Sequence, residues 1–411
     1  MGYIFCSTMF TDIEENLNNT KKPMAVSGHK FEANILDGLR ANGEEVTVIN
    51  TPRIRFFPNY PKIFFFKNAF LWNKEPVGKN IGFINLPGLN YITQAWRLYR
   101  ELSQVLKKSS NSSDNQVLIC FNPSLPKIIA MLAAKKKYPN IITCNVLGDL
   151  HGKNGLFVPN RAKGIRGAIT LKIENTQDKL SRNFDCYGLL TSNMVQALNI
   201  ENKPHVVLEG MYTANTGALP PVNNTDEDIK TIFYAGALED EYGIGHLLRS
   251  FSLIDDPSFR LMIAGGGNAA DEVKQYTNKD HRITYLGFIS PGEVEKYQQE
   301  ATALVNPRTS EHEFVKLSFP SKNMECLAAG KPYIAHKLPC YPAEYDLYMQ
   351  YPQGESDQAL AAKIMEVCKL SAEKRNQIGK ESRAFILEQK NPKVQCAKLV
   401  RMTYALSFRN V

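Results

Sequence analysis

Residues 302–335 read TALVNPRTSEHEFVKLSFPSKNMECLAAGKPYIA, and this stretch decides the fold of the second half of the chain. An apolar strand is predicted over 302–305, and a loop that carries Arg308 follows it. Pro320 opens a short helix, and Gly330 ends that helix before the next apolar strand. A strand, a helix and a second strand in this order are typical of a βαβ unit, which belongs in a parallel sheet.

The polar residues of the same stretch predict a nucleotide site. The free N–H groups of a first helical turn bind anions, and Arg308, Ser321 and Lys322 lie beside that turn. The charge of Lys322 opposes the helix dipole unless an anion is bound there. Glu325 follows in the same helix, where a carboxylate can accept hydrogen bonds from ribose hydroxyls. We therefore expect a diphosphate at the helix tip and a ribose on Glu325; ordinary exposed charges are the alternative.

Four short motifs precede this stretch, namely YAGAL at 234–238, EYGI at 241–244, IAGGG at 263–267 and YLGF at 285–288. Taken together over residues 231–345, the order and spacing of these motifs resemble the donor-binding half of the family 4 glycosyltransferases. Weaker similarity extends over most of the chain. That family is retaining and common in bacterial polysaccharide assembly. The resemblance implies an α/β protein with the GT-B fold, in which two Rossmann-like domains with mainly parallel sheets face each other across a cleft.

The resemblance also implies a domain plan. Residues 1–212 are expected to form an acceptor-binding Rossmann-like domain and residues 231–390 a donor-binding one. Residues 213–230 are rich in glycine, proline, asparagine and acidic side chains, which is typical of a linker. An amphipathic helix within 391–411 is expected to cross back to the first domain.

Two positions depart from the basic pair with which the family binds the donor. The family usually supplies an Arg and a Lys from a Gly-Arg…Lys-Gly loop after the first strand of the donor domain. The matching positions here are Ala237 and Tyr242, so neither charge is present. We infer that Arg308 and Lys322 bind the diphosphate in their place.

A third departure concerns the paired glutamates that the family places seven residues apart. Glu325 matches the second of them, but the first falls on Leu317. Contacts to the sugar are therefore expected from the preceding loop, through Glu311, His312 or Glu313. We assign Glu313 as a catalytic candidate, and the alternative for all three residues is a solvated loop position.

Two further residues are assigned to the donor site. Gly236 follows a predicted strand, and the lack of a side chain there would let a phosphate approach the backbone. A simple turn glycine is the alternative. Phe288 follows the glycine of the YLGF motif, where a tight approach to the nucleotide base is expected.

The first half offers candidates for acceptor binding and for catalysis. Ser27, His29 and Lys30 lie at the start of a helix predicted to begin at about Gly28, and they would bind an acceptor phosphate; capping by Ser27 is an equal alternative. Asp149 and His151 follow a predicted buried strand, at a position where the family often has a polar residue. We assign both as catalytic candidates, and turn or cap residues are the alternative.

Composition limits the class of protein. A chain of 411 residues with 43% hydrophobic and 22% charged residues predicts two globular domains. No long uncharged apolar run and no signal-peptide pattern is found, so a cytoplasmic protein is expected. The eight cysteines are scattered without a Cys-x-x-Cys pair, which argues against a disulfide framework or a zinc knuckle. The acidic clusters at 226–228 and 239–241 lie in predicted loops, so neither a metal nor a cofactor is expected.

The positive charge is concentrated in the first half. Residues 1–212 contain 26 Lys and Arg against 16 Asp and Glu, whereas the remainder contains 23 against 25. No nucleic-acid-binding motif is present, so an anionic membrane surface or a lipid diphosphate is the expected partner. Residues 53–72 interleave eight aromatic side chains with basic ones. This segment is either an interfacial membrane patch or a buried strand with flanking loops.

These observations predict a glycosyltransferase that moves a sugar from a nucleotide-diphosphate donor, expected to be UDP-linked, with retention of configuration. The expected acceptor is a hydroxyl of a lipid-linked saccharide at the inner face of the membrane, in cell-surface polysaccharide assembly. Two alternatives stay open. One is a nucleotide-sugar epimerase of similar fold, and the other is a catalytically silent partner subunit that binds a nucleotide sugar.

Overall fold

The computed structural model describes residues 1–10, 26–109, 115–148, 150, 164–214 and 228–408 of the chain. It divides into two compact units. The first unit comprises Met1–Met211 and Pro392–Val411, and the second comprises Tyr212–Asn391. Asp149, His151 and most of the predicted linker lie outside the described residues.

The first unit is built on an eight-stranded sheet with the order β10-β9-β8-β7-β1-β2-β5-β4, in which only β4 runs antiparallel to its neighbour. A separate antiparallel pair joins β3 to β6. The strands are β1 Gly2–Ser7, β2 Glu45–Asn50, β3 Phe64–Phe65, β4 Asn68–Trp72, β5 Glu75–Asn80, β6 Phe83–Ile84, β7 Gln116–Phe121, β8 Ile142–Leu147, β9 Cys186–Leu189 and β10 His205–Val207. The helices are α1 Val26–Ala41, α2 Leu89–Ser109, α3 Leu125–Lys137, α4 Gly164–Ser181, α5 Met194–Leu198 and, at the end of the chain, α12 Pro392–Ser407.

Helix α12 is part of the hydrophobic core of the first unit. Its residues Cys396 and Leu399 are fully buried in the cluster that also contains Leu36 and Leu39 of α1. The hydroxyl of Thr403 lies 2.6 Å from the hydroxyl of Tyr3 on β1. The last helix of the chain therefore packs on the unit that the first strand begins.

The second unit is a six-stranded parallel sheet with the order β13-β12-β11-β14-β15-β16. Its strands are β11 Lys230–Ala235, β12 Phe259–Ala264, β13 Ile283–Gly287, β14 Ala303–Asn306, β15 Tyr333–Ala335 and β16 Met349–Gln350. Its helices are α6 Ile244–Ser252, α7 Ala270–Lys279, α8 Pro291–Glu300, α9 Lys322–Ala328, α10 Asp357–Cys368 and α11 Ala372–Gln389. Short 3₁₀ helices occur at Asp240–Tyr242, Glu313–Lys316 and Ala343–Leu347.

The order of the strands fixes where this sheet can bind a ligand. Strand β11 pairs with β12 on one side and with β14 on the other, so the chain reverses its direction of winding between β11 and β14. Open α/β sheets bind ligands beyond the carboxyl ends of their strands at such a switch point. The residues that follow β11 and β14 are therefore the ones to inspect.

The predicted α/β architecture with two mainly parallel sheets is confirmed. The predicted start of the first long helix is wrong, because α1 begins at Val26 and already includes Ser27. Ser27 is therefore a helical residue and not the cap of a helix that starts at Gly28, and its side chain lies outside what the structure describes. Within the described ranges, no helix is long and apolar enough to cross a bilayer.

The contact between α1 and α12 leads to a prediction about stability. A Cβ atom added to Gly38 would lie 2.4 Å from both Sγ of Cys396 and the carbonyl oxygen of Pro392. Gly38→Ala should therefore separate the two helices and lower the free energy of unfolding by about 1–3 kcal/mol. Gly28→Ala in the same helix is the matched control. Among the described residues, its Cβ would meet nothing closer than 3.9 Å, so this change should stabilise the protein by up to about 1 kcal/mol. Denaturant unfolding of both variants checks this, and equal effects would contradict the close packing of α12.

Candidate functional site

The guanidinium of Arg308 lies beyond the carboxyl end of β14, packed on aromatic rings. Its Cζ atom is 4.0 Å from the ring centroid of Tyr242 and 5.6 Å from that of Phe314. Its Nε atom is buried and has no hydrogen-bond partner. Only the backbone N–H of Arg308 is bonded within the described residues, donating to Oδ1 of Asn306 at 3.3 Å. A half-buried cation whose edge is unfilled is suited to bind an anion.

Lys322 approaches the same edge of the sheet from the first residue of α9. Its Cε atom would lie 3.1 Å from a Cβ placed on Gly236, which directly follows β11. No ion pair or hydrogen bond to its ammonium group occurs in the part of the chain that the structure describes. Burial raises the pKa of the Cys326 thiol to about 12, and the nearby Lys322 charge opposes that rise. The short distance to a Cβ on Gly236 therefore places the Lys322 side chain next to the end of β11.

Tyr234 lies near both cations. Its hydroxyl donates to the carbonyl oxygen of Ala237 at 2.8 Å and would be 2.6 Å from a Cβ on Gly236. Burial raises the pKa of Tyr234, and the nearby Arg308 guanidinium acts against that rise. Arg308, in the loop after β14, and Lys322, at the start of α9, therefore both lie near the end of β11.

The glycines at this edge have a structural use that the sequence did not indicate. Gly265 has a φ of +131°, and a Cβ there would lie 1.7 Å from the carbonyl oxygen of Gly236. The space that a side chain at Gly236 would need is likewise limited by the protein itself, through the hydroxyl of Tyr234 and the side chain of Lys322. Its predicted role in admitting a phosphate stays a prediction.

Phe288 lies on the far side of these glycines and is 86% exposed. Its ring packs on Gly266, where a Cβ would lie 2.3 Å from Cζ of the phenylalanine. An exposed ring held flat by its neighbour can stack against a nucleobase.

Helix α9 carries Lys322 and Glu325 three residues apart, and therefore on one face. Glu325 and the neighbouring Ser321 are exposed, and no side-chain cap is made by Ser321. The helix is only seven residues long, so few aligned peptide dipoles add up at its tip. The expectation that the helix tip itself defines the anion site is therefore weakened, and the case for the site depends on the side chains of Arg308 and Lys322.

Glu313 lies at the start of a 3₁₀ helix in the loop after β14. Its exposed carboxylate accepts hydrogen bonds from Nζ of Lys316 at 2.9 and 3.0 Å. This surface ion pair is the arrangement expected of the solvated alternative. The catalytic role of Glu313 stays a prediction.

The acceptor candidates lie in the first turns of α1. The Nε2 atom of His29 is 3.4 Å from the carbonyl oxygen of Phe10, and their rings stack at a centroid distance of 6.4 Å. Lys30 is exposed. Their predicted role in binding an acceptor phosphate is not tested by these contacts.

A buried charged pair near His29 was not found from the sequence. Glu32 accepts hydrogen bonds from the N–H and the hydroxyl of Thr8, both at 2.6 Å. Lys127 donates to the carbonyl oxygens of Cys6 and Ser7 at 3.0 and 2.6 Å. Burial raises the pKa of Glu32 and lowers that of Lys127, and each charge opposes the shift of the other. The two residues are far apart in sequence, so no local motif connects them.

Comparisons with known proteins give one matching family model and several similar folds. Residues 216–385 match the family model described as "Glycosyl transferases group 1". The fold is similar to that of sucrose-phosphate synthase from Thermosynechococcus elongatus, with a TM-score of 0.60 at 14% identity over 100% of both chains. A lipopolysaccharide outer core galactosyltransferase gives a TM-score of 0.59 at 15% identity, over 99% of this chain and 100% of that chain. The Anabaena protein HepE, in complex with UDP, gives 0.58 at 12% identity, over 98% and 100%. No curated protein sequence matches the chain.

The GT-B fold that the sequence predicts is confirmed by these structural neighbours. The family match over 216–385 supports a glycosyltransferase. That interval contains Gly236, Phe288, Arg308, Lys322 and Glu325.

A hydrogen-bonded chain of two histidines and an aspartate in the second unit was also not found from the sequence. Nε2 of His246 is 3.0 Å from Nε2 of His336, which follows β15, and Nδ1 of His246 is 2.5 Å from Oδ1 of Asp357. Arg249 donates to the other carboxylate oxygen at 2.9 Å. Burial, followed by the charge of His246, lowers the pKa of His336 to about 4. Among the described residues, no cluster of three His, Cys, Asp or Glu side chains able to hold a metal ion is found.

His336 leads to a prediction about acid stability. Its folded-state pKa of about 4 lies below the ordinary value of 6.5, so between these limits the unfolded chain binds the extra proton. The contribution of His336 to the free energy of unfolding is fully present above pH 6.5 and is lost as the pH falls to 4. At ~1.4 kcal/mol per pH unit, this loss amounts to about 3 kcal/mol. Denaturant unfolding at several pH values should show a shallower loss in His336→Gln than in the natural protein. The exposed His281→Gln serves as the control, and an unchanged slope in His336→Gln would contradict the burial of a neutral imidazole.

Proposed function

We propose that this protein is a retaining glycosyltransferase of family 4, which transfers a sugar from a nucleotide-diphosphate donor to a hydroxyl of a saccharide. One observation carries the proposal. Arg308 follows β14 and Lys322 lies next to Gly236 after β11, the two strands that flank the switch point, and neither side chain has a counter-ion within the described parts of the chain. Their chemistry fits two neighbouring phosphate groups, since a guanidinium can bind oxygens bidentately and an ammonium acts as a point charge.

The same two cations would stabilise the transition state of the reaction. Negative charge develops on the diphosphate as the bond to the sugar breaks, and preorganised donors stabilise that charge in the transition state. Arg308 is held in place by its neighbours before any ligand binds. Less reorganisation is then needed at the moment of reaction.

The remaining parts of the donor fit the surrounding residues. Glu325 on the exposed face of α9 would accept hydrogen bonds from the ribose hydroxyls, and the ring of Phe288 would stack on the base. We propose uridine as the base, supported by the UDP in the Anabaena neighbour. Glu313 is kept as the candidate for contact with the sugar, and Asp149 and His151 as candidates for catalysis.

We propose a lipid-linked saccharide as the acceptor, bound by the first unit at the inner face of the membrane in polysaccharide assembly. Residues 53–108 of that unit contain ten Lys and Arg but only two Asp and Glu. One of the two, Glu101, is already paired with Lys67 and Lys79. This part of the surface is therefore strongly basic, as binding to anionic lipid requires.

The aromatic residues of the same region divide into a buried and an exposed set. Phe65 stacks on Phe83 at a centroid distance of 4.5 Å, whereas its neighbours Phe64 and Phe66 are 56% and 79% exposed. Alternate residues of a strand point to opposite faces, which explains the division. The exposed rings, among basic side chains, suit the interfacial region of a bilayer.

Helix α2 adds a second apolar stripe to this region. Its residues Leu89, Ile92 and Trp96 lie three to four positions apart and are all exposed, and the guanidinium of Arg100 lies 5.7 Å from the Trp96 ring. The helix contacts β6, which pairs with the strand of Phe64. We name the exposed rings and this stripe together the basic aromatic surface.

The donor site is tested by two substitutions. Arg308→Ala and Lys322→Ala should each weaken the binding of UDP by about 1.5–3 kcal/mol, the range for charge-assisted hydrogen bonds. Calorimetric titration with UDP and GDP measures this. Lys296→Ala removes an exposed lysine that pairs with Glu300 in α8, and it should leave the affinity unchanged. If both site variants fold and bind UDP as well as the natural protein does, these cations do not hold the diphosphate.

The basic aromatic surface is tested with vesicles. The double variant Phe64→Ser with Phe66→Ser should lose most binding to anionic vesicles while keeping its melting temperature and its UDP affinity. Binding of the natural protein should weaken with salt, because exposed charges are screened over ~8–10 Å near physiological ionic strength. Phe65→Ser is the contrasting control and should lower the melting temperature, since its ring stacks on Phe83. Unchanged flotation of the double variant would place the membrane contact elsewhere or exclude it.

A further inference from the structure

The residue that replaces the lysine of the family pattern makes a specific contact with Arg308. The ring of Tyr242 lies 4.0 Å from the Cζ atom of the guanidinium, which is stacking distance. We propose that Tyr242 is a positioning residue that, together with Phe314, holds the Arg308 guanidinium in the orientation that binds the donor diphosphate. This inference rests on the proposed function and deepens it.

The turn that carries Tyr242 is fixed against the loop that carries Arg308. Tyr242 ends the 3₁₀ helix Asp240–Tyr242, and Gly243 follows with a φ of +82°. A Cβ on Gly243 would lie 2.4 Å from the carbonyl oxygen of Pro307, so the two backbones are in direct contact. The backbone segments that carry the Tyr242 ring and the Arg308 side chain are therefore fixed relative to each other.

Phe314 contacts the guanidinium from a second direction, since its ring is tilted by 58° to that of Tyr242 at a centroid distance of 6.5 Å. It is buried within the 3₁₀ helix Glu313–Lys316, and its ring centroid is 5.6 Å from Cζ of Arg308. The ring of His312 stacks on the Phe314 ring at a centroid distance of 5.6 Å and an interplanar angle of 16°. His312, Phe314, Arg308 and Tyr242 therefore form a contiguous cluster, here called the Arg308 cluster, that joins the loop after β11 to the loop after β14.

The Arg308 cluster affects both the entropy that Arg308 loses when a ligand binds and the orientation of its N–H donors. A free arginine side chain loses about 2 kcal/mol of rotamer entropy when it is ordered by a ligand. Here that loss occurs on folding, because contacts with the Tyr242 and Phe314 rings confine the guanidinium. Among the described residues, the buried Nε atom of Arg308 has no hydrogen-bond partner, so a ligand can supply one. A planar fork held in this way presents two parallel donors, as recognition of a phosphate requires.

The contact between Tyr242 and Arg308 also explains how a tyrosine can occupy a position where a cation is expected. The positive charge comes from the opposite loop, and Tyr242 supplies the surface on which it lies. A lysine in place of Arg308 would keep the charge but lose the contact between the planar guanidinium and the Tyr242 ring. The chemistry therefore predicts that charge alone at position 308 does not restore binding.

The test compares ring, bulk and charge by titration with UDP. Tyr242→Phe keeps a π face and should bind UDP within about twofold of the natural protein, whereas Tyr242→Leu keeps apolar bulk alone and should bind about tenfold more weakly. Arg308→Lys should lose nearly as much affinity as Arg308→Ala. In the Tyr242→Leu background, Arg308→Ala should cost clearly less than it does alone, because the two residues act as one unit.

Melting curves and a remote control separate positioning from folding. Tyr276→Leu in α7 removes a ring that carries the Lys279 ammonium at 5.9 Å and should leave UDP affinity unchanged. A Tyr242→Leu variant that melts at the natural temperature but binds UDP weakly supports the proposal. If it fails to fold, full binding by Arg308→Lys would overturn the proposal and weak binding would support it.

The outcomes also distinguish this inference from the function on which it rests. If the natural protein binds no nucleoside diphosphate, the proposed function is wrong. If the natural protein binds UDP and Arg308→Ala does not, but Tyr242→Leu binds normally, the donor site stands and the positioning role of Tyr242 is wrong. Additive losses in the double variant would likewise overturn the coupling between the two residues.

Discussion

A guanidinium that is partly removed from water without a counter-ion raises the free energy of the folded state, and the second unit is organised around this constraint at Arg308. Across residues 228–408 the structure offers it aromatic faces but no carboxylate. Aromatic rings shield a cation without neutralising it, so the charge stays available for a ligand. Lys322 adds a second such charge beside Gly236. The site is therefore incomplete as a set of protein contacts, and an anion would complete it.

The sheet supplies the geometry that brings these charges together. Parallel strands end at one edge, and the reversal of winding between β11 and β14 opens a crevice there. Backbone contacts then draw the loops close, since Gly265 abuts the carbonyl group of Gly236 and Gly243 abuts that of Pro307. A side chain at either glycine would push these loops apart, so the site depends on the backbone as much as on the charged residues.

The sequence predicted the parts of this arrangement that local patterns encode. The alternation of strands and helices follows from apolar periodicity, and Arg308, Lys322 and Glu325 are predicted as site residues because they lie within one short stretch. The stack on Tyr242 was not found, because it joins two loops that are distant in sequence, and Tyr242 was read only as a missing lysine. The division between exposed Phe64 and Phe66 and stacked Phe65 depends on which face of a short strand meets Phe83. Composition alone cannot determine this.

The most direct measurement of the central claim is a crystal structure of the protein with UDP bound. The account predicts that the diphosphate oxygens lie within about 2.7–3.2 Å of the Arg308 guanidinium and of Nζ of Lys322. It also predicts that the guanidinium stays on the Tyr242 ring and that the ribose hydroxyls meet the Glu325 carboxylate. A nucleotide bound at another edge of the sheet, or a diphosphate that leaves both cations in solvent, would contradict it.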